Sequence, residues 1–469
     1  MPDGARIHLL GICGTAMASL AGMLKEKGCR VSGSDEDIYP PMSEMLAELG
    51  IPVHSPYRSD NLAADVDLVV VGNAVSRGNP ELEEVLDRNL PYTSMPVLLK
   101  DLFLRERSPV VMAGTHGKTT TTSLMAWVLQ SAKRDPSFLV GGIPLNFGKS
   151  YQLAPGENFV IEGDEYDTAY FDKGPKFLHY LPQLVVLGNV EYDHADIYPD
   201  LDSVVTAFSR LVNLIPRGGL LVVGAESRTA LEIAERAFCP VETFAVGGAA
   251  TWETREIEVD EGGSRFEVWH EGKRYASMAG PFWGASALKN PLAVIAVAHR
   301  LGLSAEEVAA GLHSFQGVAR RLQVRGKQRG VTVVDDFAHH PTAIRHTVES
   351  ARQRWPGRKV WAVFEPRSYT ARSQVFQDEF AGALGLADRV VLAAVYSSRR
   401  LASEQELSEE EVVKALSAGG VEAWFIPEVE EIVDFLGQRL GDGDVVLGMS
   451  NGSFGGFHQK LLQKLGGVS

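Results

Sequence analysis

The segment that most constrains this chain is Val110-Val111-Met112-Ala113-Gly114-Thr115-His116-Gly117-Lys118-Thr119-Thr120. A short apolar run enters a glycine turn, and Leu124, Val128 and Leu129 then recur at helical spacing. That is a strand, a tight turn and a helix, the repeating unit of an α/β sheet. Glycines let successive backbone N–H groups face a polyphosphate, Lys118 adds a point charge, and the Thr119 hydroxyl can ligate a divalent metal. The loop is shorter than the standard phosphate loop, whose first glycine falls where this chain has Met112. A plain strand-to-helix turn is the competing reading, and the flanking strand and helix weigh against it.

Two further clusters follow apolar runs in the same way. Glu162-Gly163-Asp164-Glu165-Tyr166-Asp167 comes directly after Phe159-Val160-Ile161, and Asn189-Val190-Glu191-Tyr192-Asp193-His194 follows the run Leu184 to Leu187. Acidic runs are usually solvated loops. At the carboxyl ends of strands beside a nucleotide, their hard oxygen ligands suit Mg²⁺. Loop and acid clusters together predict a metal–ATP site, although each alone has a bland explanation.

The N-terminal hundred residues repeat the design at lower strength. Arg6 to Leu10 enters Gly11-Ile12-Cys13-Gly14-Thr15-Ala16, a second strand delivers Ser34 and Asp35, and Leu68 to Val71 ends in Gly72-Asn73-Ala74. The pattern predicts a small parallel sheet with a glycine-lined crevice. An NAD site is the alternative there, but the full dinucleotide fingerprint is missing and no hydride-transfer constellation accompanies it. The polar stretch Lys100 to Pro109 reads as a linker. Alternation of strands and helices resumes after Arg320-Arg321, with strands at Val331 to Val334, Val360 to Phe364, Val390 to Leu392 and Val445 to Leu447. We therefore expect an α/β chain of three domains: residues 1–107, 108–323 and 324–469. The central domain includes a polar β-rich stretch from Thr251 to Ala276 and a helix from about Asn290 to Leu301.

Composition narrows the partners. The net charge of −15 disfavours broad attraction to nucleic acid or an anionic membrane, leaving a local basic pocket for one anionic ligand. Three scattered cysteines make neither a disulfide framework nor paired metal-ligand spacing. No apolar run has the length of a membrane span and no leader pattern opens the chain, so a cytoplasmic location is expected.

The strings GTHGKTTTT, Glu191-Tyr192-Asp193-His194 and Asp335-Asp336-Phe337-Ala338-His339-His340-Pro341, with the acidic loop, resemble the Mur ligases, ATP-dependent amide-forming enzymes of cell-wall precursor synthesis. The resemblance covers the whole chain. It implies a Rossmann-like N-terminal domain for a UDP-sugar, a central phosphate-loop domain for ATP, and a Rossmann-like C-terminal domain for the amine substrate. Within the family, GICGTAMASLAGMLKEKGCRVSGSD, DEYDTAYFDKGPKFLHY, FEPRS and MSNGSFGGFHQKLL look like the branch that recycles murein tripeptide. The implied reaction joins UDP-N-acetylmuramate to L-alanyl-γ-D-glutamyl-meso-diaminopimelate. The alternatives are the L-alanine-adding branch and, from another class, a phosphate-loop regulatory NTPase.

By the same resemblance, Gly114, Thr115, His116, Gly117, Lys118, Thr119 and Thr120 cradle ATP, with Asn290 on adenine, Arg321 on phosphate and Asp336 on ribose. Thr119, Glu162 and His194 would hold Mg²⁺, and Gly11, Gly14, Thr15, Ser34, Asp35, Asn73 and Ala74 would hold the UDP-sugar. Catalytic roles are implied for Lys118, Glu162, His194 and His339, the last as a base competing with a bound water. Peptide binding is expected at Arg367, Tyr369 and His339. Two departures stand out: Ser286 and Ala287 occupy the place of a His-Asn pair before Asn290, and Pro366-Arg367-Ser368-Tyr369-Thr370-Ala371 replaces Pro-His-Arg-Tyr-Thr-Arg.

Overall fold

The computed structural model describes residues 4–36, 38, 41–396 and 406–467. Three sheets carry the architecture, and the chain is α/β throughout. The first has the spatial order Val53–His54, Arg30–Ser34, Arg6–Leu10, Leu68–Val71, Tyr92–Ser94, with every neighbouring pair parallel. This is an open sheet whose chain reverses direction of winding beside Arg6–Leu10, the place where such sheets leave a ligand crevice at their carboxyl ends.

The central sheet has ten strands. Ser108–Ala113, the strand that feeds the phosphate loop, lies at its heart between Asn158–Glu162 and Leu184–Leu187, parallel to both. Both neighbours end in the acidic clusters, so three chemistry-bearing loops leave the same edge side by side. The β-rich stretch is a meander of Trp252–Asp260, Gly263–His270 and Lys273–Gly280, paired antiparallel at the far end of the sheet. A six-stranded sheet follows in the order Gln323–Gln328, Val331–Asp336, Val445–Met449, Val360–Phe364, Arg389–Leu392, Glu422–Phe425, with only the first strand antiparallel. Its middle strands are buried along their whole length, as a sheet covered on both faces requires.

The predicted linker is largely helical. A helix over Met95–Leu99 continues as a wider turn over Lys100–Leu104. Phe103 and Leu104 are buried in the first core, and that apolar burial outweighs the polar composition that suggested a loop. The N-terminal sheet is also bound closely to the central one. Met17, Leu20 and Leu24 of the helix Thr15–Glu26 share one core with Tyr151 and Phe177, and Ser19 and Ser150 exchange a hydrogen bond at 2.7 Å. The expected Asn290–Leu301 helix begins earlier, at Ala285, and ends at Arg300.

The C-terminal sheet turns on Trp361. Its ring is fully buried, stacks on Trp424 with centroids 5.8 Å apart, and donates its indole N–H to Asp444 at 3.1 Å. Trp361→Ala should lower stability by about 3–5 kcal/mol in denaturant titration, through lost contacts, a cavity and the loss of one of the donors to the buried Asp444 carboxylate.

Candidate active site

The phosphate loop has the backbone its sequence requires. Gly114 and Gly117 sit at φ +126° and +82°, and a Cβ at Gly114 would lie 2.9 Å from the carbonyl oxygen of Asn189. The helix Lys118–Ser131 begins with no side-chain cap, so its first N–H groups and positive dipole end face the loop. Lys118 was expected to reach outward to phosphates. Here its ammonium folds back onto the carbonyls of Gly114 (2.7 Å) and Thr115 (3.1 Å) and onto Glu165 Oε1 (2.8 Å), because a buried cation takes whatever acceptors its own loop provides.

Glu165 Oε1 also meets His194 Nε2 at 3.0 Å. Burial alone would lower the Lys118 and His194 pKa values, but the Glu165 carboxylate outweighs it and raises both. Burial would push Glu165 up, and the Lys118 and His194 charges hold it down instead. His194, placed among the metal ligands by the sequence, is therefore engaged by Glu165 through its Nε2. Its backbone is left-handed at φ +56°, a cost that local packing sustains.

The acidic loop divides its carboxylates. Asp164 pairs with Lys176 at 2.7 Å and is held at about 2 against its own burial, and Asp167 pairs with Lys173 at 2.7 Å. Glu162 has no cation in contact: it accepts the Thr119 hydroxyl at 2.9 Å and the Gly141 N–H at 2.8 Å, and burial raises its pKa. The reading of the whole loop as a set of hard ligands thus narrows to Glu162 and the free oxygen of Glu165, which is buried without a hydrogen-bond partner.

A cleft of about 740 Å³ opens between the central and C-terminal sheets. The phosphate loop forms one end, and Phe244, Phe282, Trp283 and Phe315 make an apolar end, an arrangement typical of small-molecule sites. Asn290, Arg321 and Asp336 line it as expected. Asn290 is not a helix cap: it lies inside its helix and accepts the Thr121 hydroxyl at 3.1 Å. Arg321 reaches across to Thr119 at 3.4 Å, flanked by Arg320 and Leu322 in left-handed backbone at φ +60° and +46°. Asp336 accepts N–H bonds from Leu322 and Ala338. The aromatic end of the cleft was missed by the sequence reading, because its residues come from loops and strand ends far apart along the chain.

In the N-terminal crevice, Gly11 turns at φ +80° and Gly14 precedes the first helical residue, Thr15. Asp35, placed at the UDP-sugar by resemblance, accepts the Cys13 N–H on Oδ2 at 2.8 Å, satisfying a donor of the glycine turn. Ser34 is buried against His8 Nε2 at 3.1 Å, while Asn73 and Ala74 are exposed at the strand end. Glu81, which no motif marked, is fully buried and binds His8, Asn61 and the Arg58 N–H, fixing the floor under Ser34.

On the C-terminal sheet, His339 is held by its Nδ1 on the Phe337 carbonyl at 2.9 Å. The carbonyl fixes Nδ1 as the donor, so the neutral ring keeps a lone pair on Nε2. Burial pushes its pKa down to about 4, opposed by Asp193. Arg367 stacks its guanidinium 3.8 Å over the Tyr396 ring, and Tyr369 opens a short helix capped by Ser368. Substituting Gly114 with alanine should weaken binding of an ATP analogue at least tenfold in calorimetry, because the new Cβ meets the Asn189 backbone and the φ is unfavourable to any L side chain.

Family models match the chain in three consecutive parts: the Mur ligase family catalytic domain over residues 6–107, the Mur ligase middle domain over 112–298, and the Mur ligase glutamate ligase domain over 320–452. The chain is 40% identical to the UDP-N-acetylmuramate–L-alanyl-gamma-D-glutamyl-meso-2,6-diaminoheptandioate ligase of Haemophilus influenzae, over 98% of this chain and 99% of that one. Among solved structures, it resembles a murein peptide ligase from Psychrobacter arcticus at TM-score 0.75 and 35% identity, covering 99% of this chain and all of the other. It also resembles the UDP-N-acetylmuramate-alanine ligase of Thermotoga maritima at TM-score 0.82 and 26% identity, covering 98% of both chains. With three consecutive family matches around the phosphate-loop cleft and 40% identity along its length, this chain belongs to the Mur ligase family.

Proposed function

We propose that this chain is an ATP-dependent ligase joining UDP-N-acetylmuramate to the tripeptide L-alanyl-γ-D-glutamyl-meso-diaminopimelate, releasing ADP and phosphate, in the recycling of peptidoglycan. The observation that carries this reading is 40% identity over nearly the full length to a relative named for that reaction. The alanine ligase neighbour has the higher TM-score but only 26% identity. TM-score follows the path of the backbone and the placement of domains, which the whole family shares. Substrate choice is made by side chains, and there the peptide ligases are closer.

A carboxylate is a poor electrophile, so the lactyl carboxylate of the sugar must first take the γ-phosphoryl group of ATP as an acyl phosphate. Two anions have to meet. Lys118 shifts from its loop carbonyls onto the phosphates, and Arg321, whose guanidinium already faces Thr119, adds a second positive charge. Thr119 and Glu162 fit a divalent cation: a hydroxyl and a desolvated carboxylate 2.9 Å apart. Bound Mg²⁺ supplies neutralisation of phosphate charge there. His194 would join that site by resemblance, once its Nε2 leaves Glu165.

The amine of the incoming peptide must lose a proton as the C–N bond forms. His339 is neutral at physiological pH and offers Nε2, so it can take that proton; phosphate then leaves from the tetrahedral adduct. Closure of the C-terminal sheet over the cleft keeps water from the acyl phosphate. Asn290 and Asp336 position the nucleoside, and Gly11 to Thr15 with Ser34, Asn73 and Ala74 the UDP-sugar.

The test is phosphate release with Mg²⁺, ATP and UDP-N-acetylmuramate, comparing tripeptide with free L-alanine. Release with tripeptide and the mass of the joined product are expected; release with L-alanine alone would assign the chain to the alanine-adding branch. Lys118→Ala should reduce kcat by about 10²-fold or more through lost charge stabilisation. Arg367→Ala should raise the tripeptide KM about tenfold or more while leaving the ATP KM within about twofold, since a guanidinium recognises a carboxylate through two parallel bonds. Equal effects on both KM values would remove Arg367 from the peptide site.

A further inference from the structure

The acidic segment after Leu184–Leu187 does more than border the nucleotide cleft. Its two carboxylates are each engaged by a threonine hydroxyl from the C-terminal sheet's half of the molecule. Thr342, in the first turn of the helix Pro341–Arg354, donates to Glu191 Oε2 at 2.8 Å, and Thr370 donates to Asp193 Oδ1 at 3.0 Å. Between them, Tyr192 faces the Phe376 ring with centroids 6.2 Å apart. The C-terminal half therefore meets this segment through two hydroxyl–carboxylate bonds, besides its other contacts with the central domain such as Arg354 over Trp283.

Of the two, Glu191 bonds directly to residues of the phosphate loop, while Asp193 reaches it only through His194 and Glu165. The same Oε2 that accepts Thr342 lies 3.3 Å from His116 Nε2. Its other oxygen accepts Asn189 Nδ2 at 3.2 Å, and Asn189 Oδ1 in turn accepts the His116 backbone N–H at 3.1 Å. The Glu191 N–H donates to the Thr115 hydroxyl at 2.9 Å. Outside the threonine, the carboxylate thus leads to His116, directly and through Asn189, while the Glu191 backbone holds Thr115.

Glu191, His116 and His340 have the composition of a metal site, with ligand atoms within 4.8 Å of one another. The hydrogen bonding speaks against it. His340 Nδ1 accepts the Thr342 N–H at 3.3 Å, which puts the proton on Nε2 and leaves there a donor rather than a lone pair. The cluster is a polar joint, with His340 packed between His116 and Phe376 at 4.8 and 5.1 Å.

We propose that Glu191 is a positioning residue that couples docking of the C-terminal half, through the Thr342 hydroxyl, to the ordering of the phosphate loop at His116. It rests on reading that loop as an ATP site. Docking completes the Thr342–Glu191–His116 chain, the chain holds the loop in its phosphate-binding form, and by linkage a bound nucleotide favours the docked state.

The experiment is calorimetric titration of the full-length protein with a non-hydrolysable ATP analogue and Mg²⁺. Thr342→Val keeps the shape and removes the hydroxyl, and should weaken binding about tenfold, the scale of one hydrogen bond to a charged group. Thr342→Ser should restore affinity to within about twofold of the unmodified protein. In a His116→Ala background, Thr342→Val should cost nothing further, because the chain is already cut. Unchanged affinity in Thr342→Val, failure of Thr342→Ser to restore it, or full additivity with His116→Ala would each overturn the proposal while leaving the ATP reading intact. An unmodified protein that does not bind the analogue would overturn both.

Discussion

Lys118 and Glu165 set the terms for the rest of the site. The side chains of this ion pair are 13% and 3% exposed, and burying either charge alone would cost several kcal/mol, on the order of what holds a domain together. The pair survives because neighbours serve both the ammonium and one carboxylate oxygen. Two loop carbonyls serve the ammonium, and His194 shares the carboxylate oxygen. Asp164, next to Glu165, is neutralised separately by Lys176. These bonds keep the Lys118 ammonium folded back on its own loop. The pair also ties the two acidic clusters, one after each neighbouring strand, to the same lysine.

That arrangement dictates how the outer sheets are placed. The central sheet can put only three loops around Lys118, from Ser108–Ala113 and its two parallel neighbours. The rest of the cleft is walled by other central-domain residues such as Phe244, Trp283 and Asn290, and by Arg321 and Asp336 at the entry to the C-terminal sheet with Thr347 and Ser350 on the helix beyond. The left-handed backbone at Arg320 and Leu322 marks the sharp path the chain takes to aim Arg321 back at Thr119. The N-terminal sheet is attached differently, through an apolar core that it shares with Tyr151 and Phe177 of the central domain.

What could be read from the sequence followed from locality. Strand, glycine turn and helix are consecutive in the chain, so Val110 to Leu129 and Arg6 to Gly28 showed their structure directly, as did the acids that directly follow strands. Lys100–Leu104 was obscured because its charged residues face solvent while Phe103 and Leu104 are buried by a core the local pattern does not reveal. Asn290 was ambiguous for the same reason: its partner Thr121 lies 169 residues away. The contacts of Thr342 with Glu191 and Thr370 with Asp193 span 151 and 177 residues, and no periodicity encodes a pairing at that range. Individual roles within the acidic loop were equally illegible, since the fold delivers Lys176 to Asp164 and only a hydroxyl and a backbone N–H to Glu162.

The C-terminal sheet shows how two separate strings can be one physical feature. FEPRS follows the strand Val360–Phe364 and MSNGSFGG includes the end of Val445–Met449, and these strands are neighbours, so the two loops emerge together. Ser450 donates to Glu365 at 2.5 Å, and Arg320 clamps the carbonyls of Ser450 and Gly452 at 2.6 Å each. A Cβ at position 452 would fall 2.2 Å from Arg367 Cδ. The arginine can lie over Tyr396 only because that residue is glycine. The side-chain path of Arg367 and the glycine at 452 are therefore coupled across two neighbouring loops.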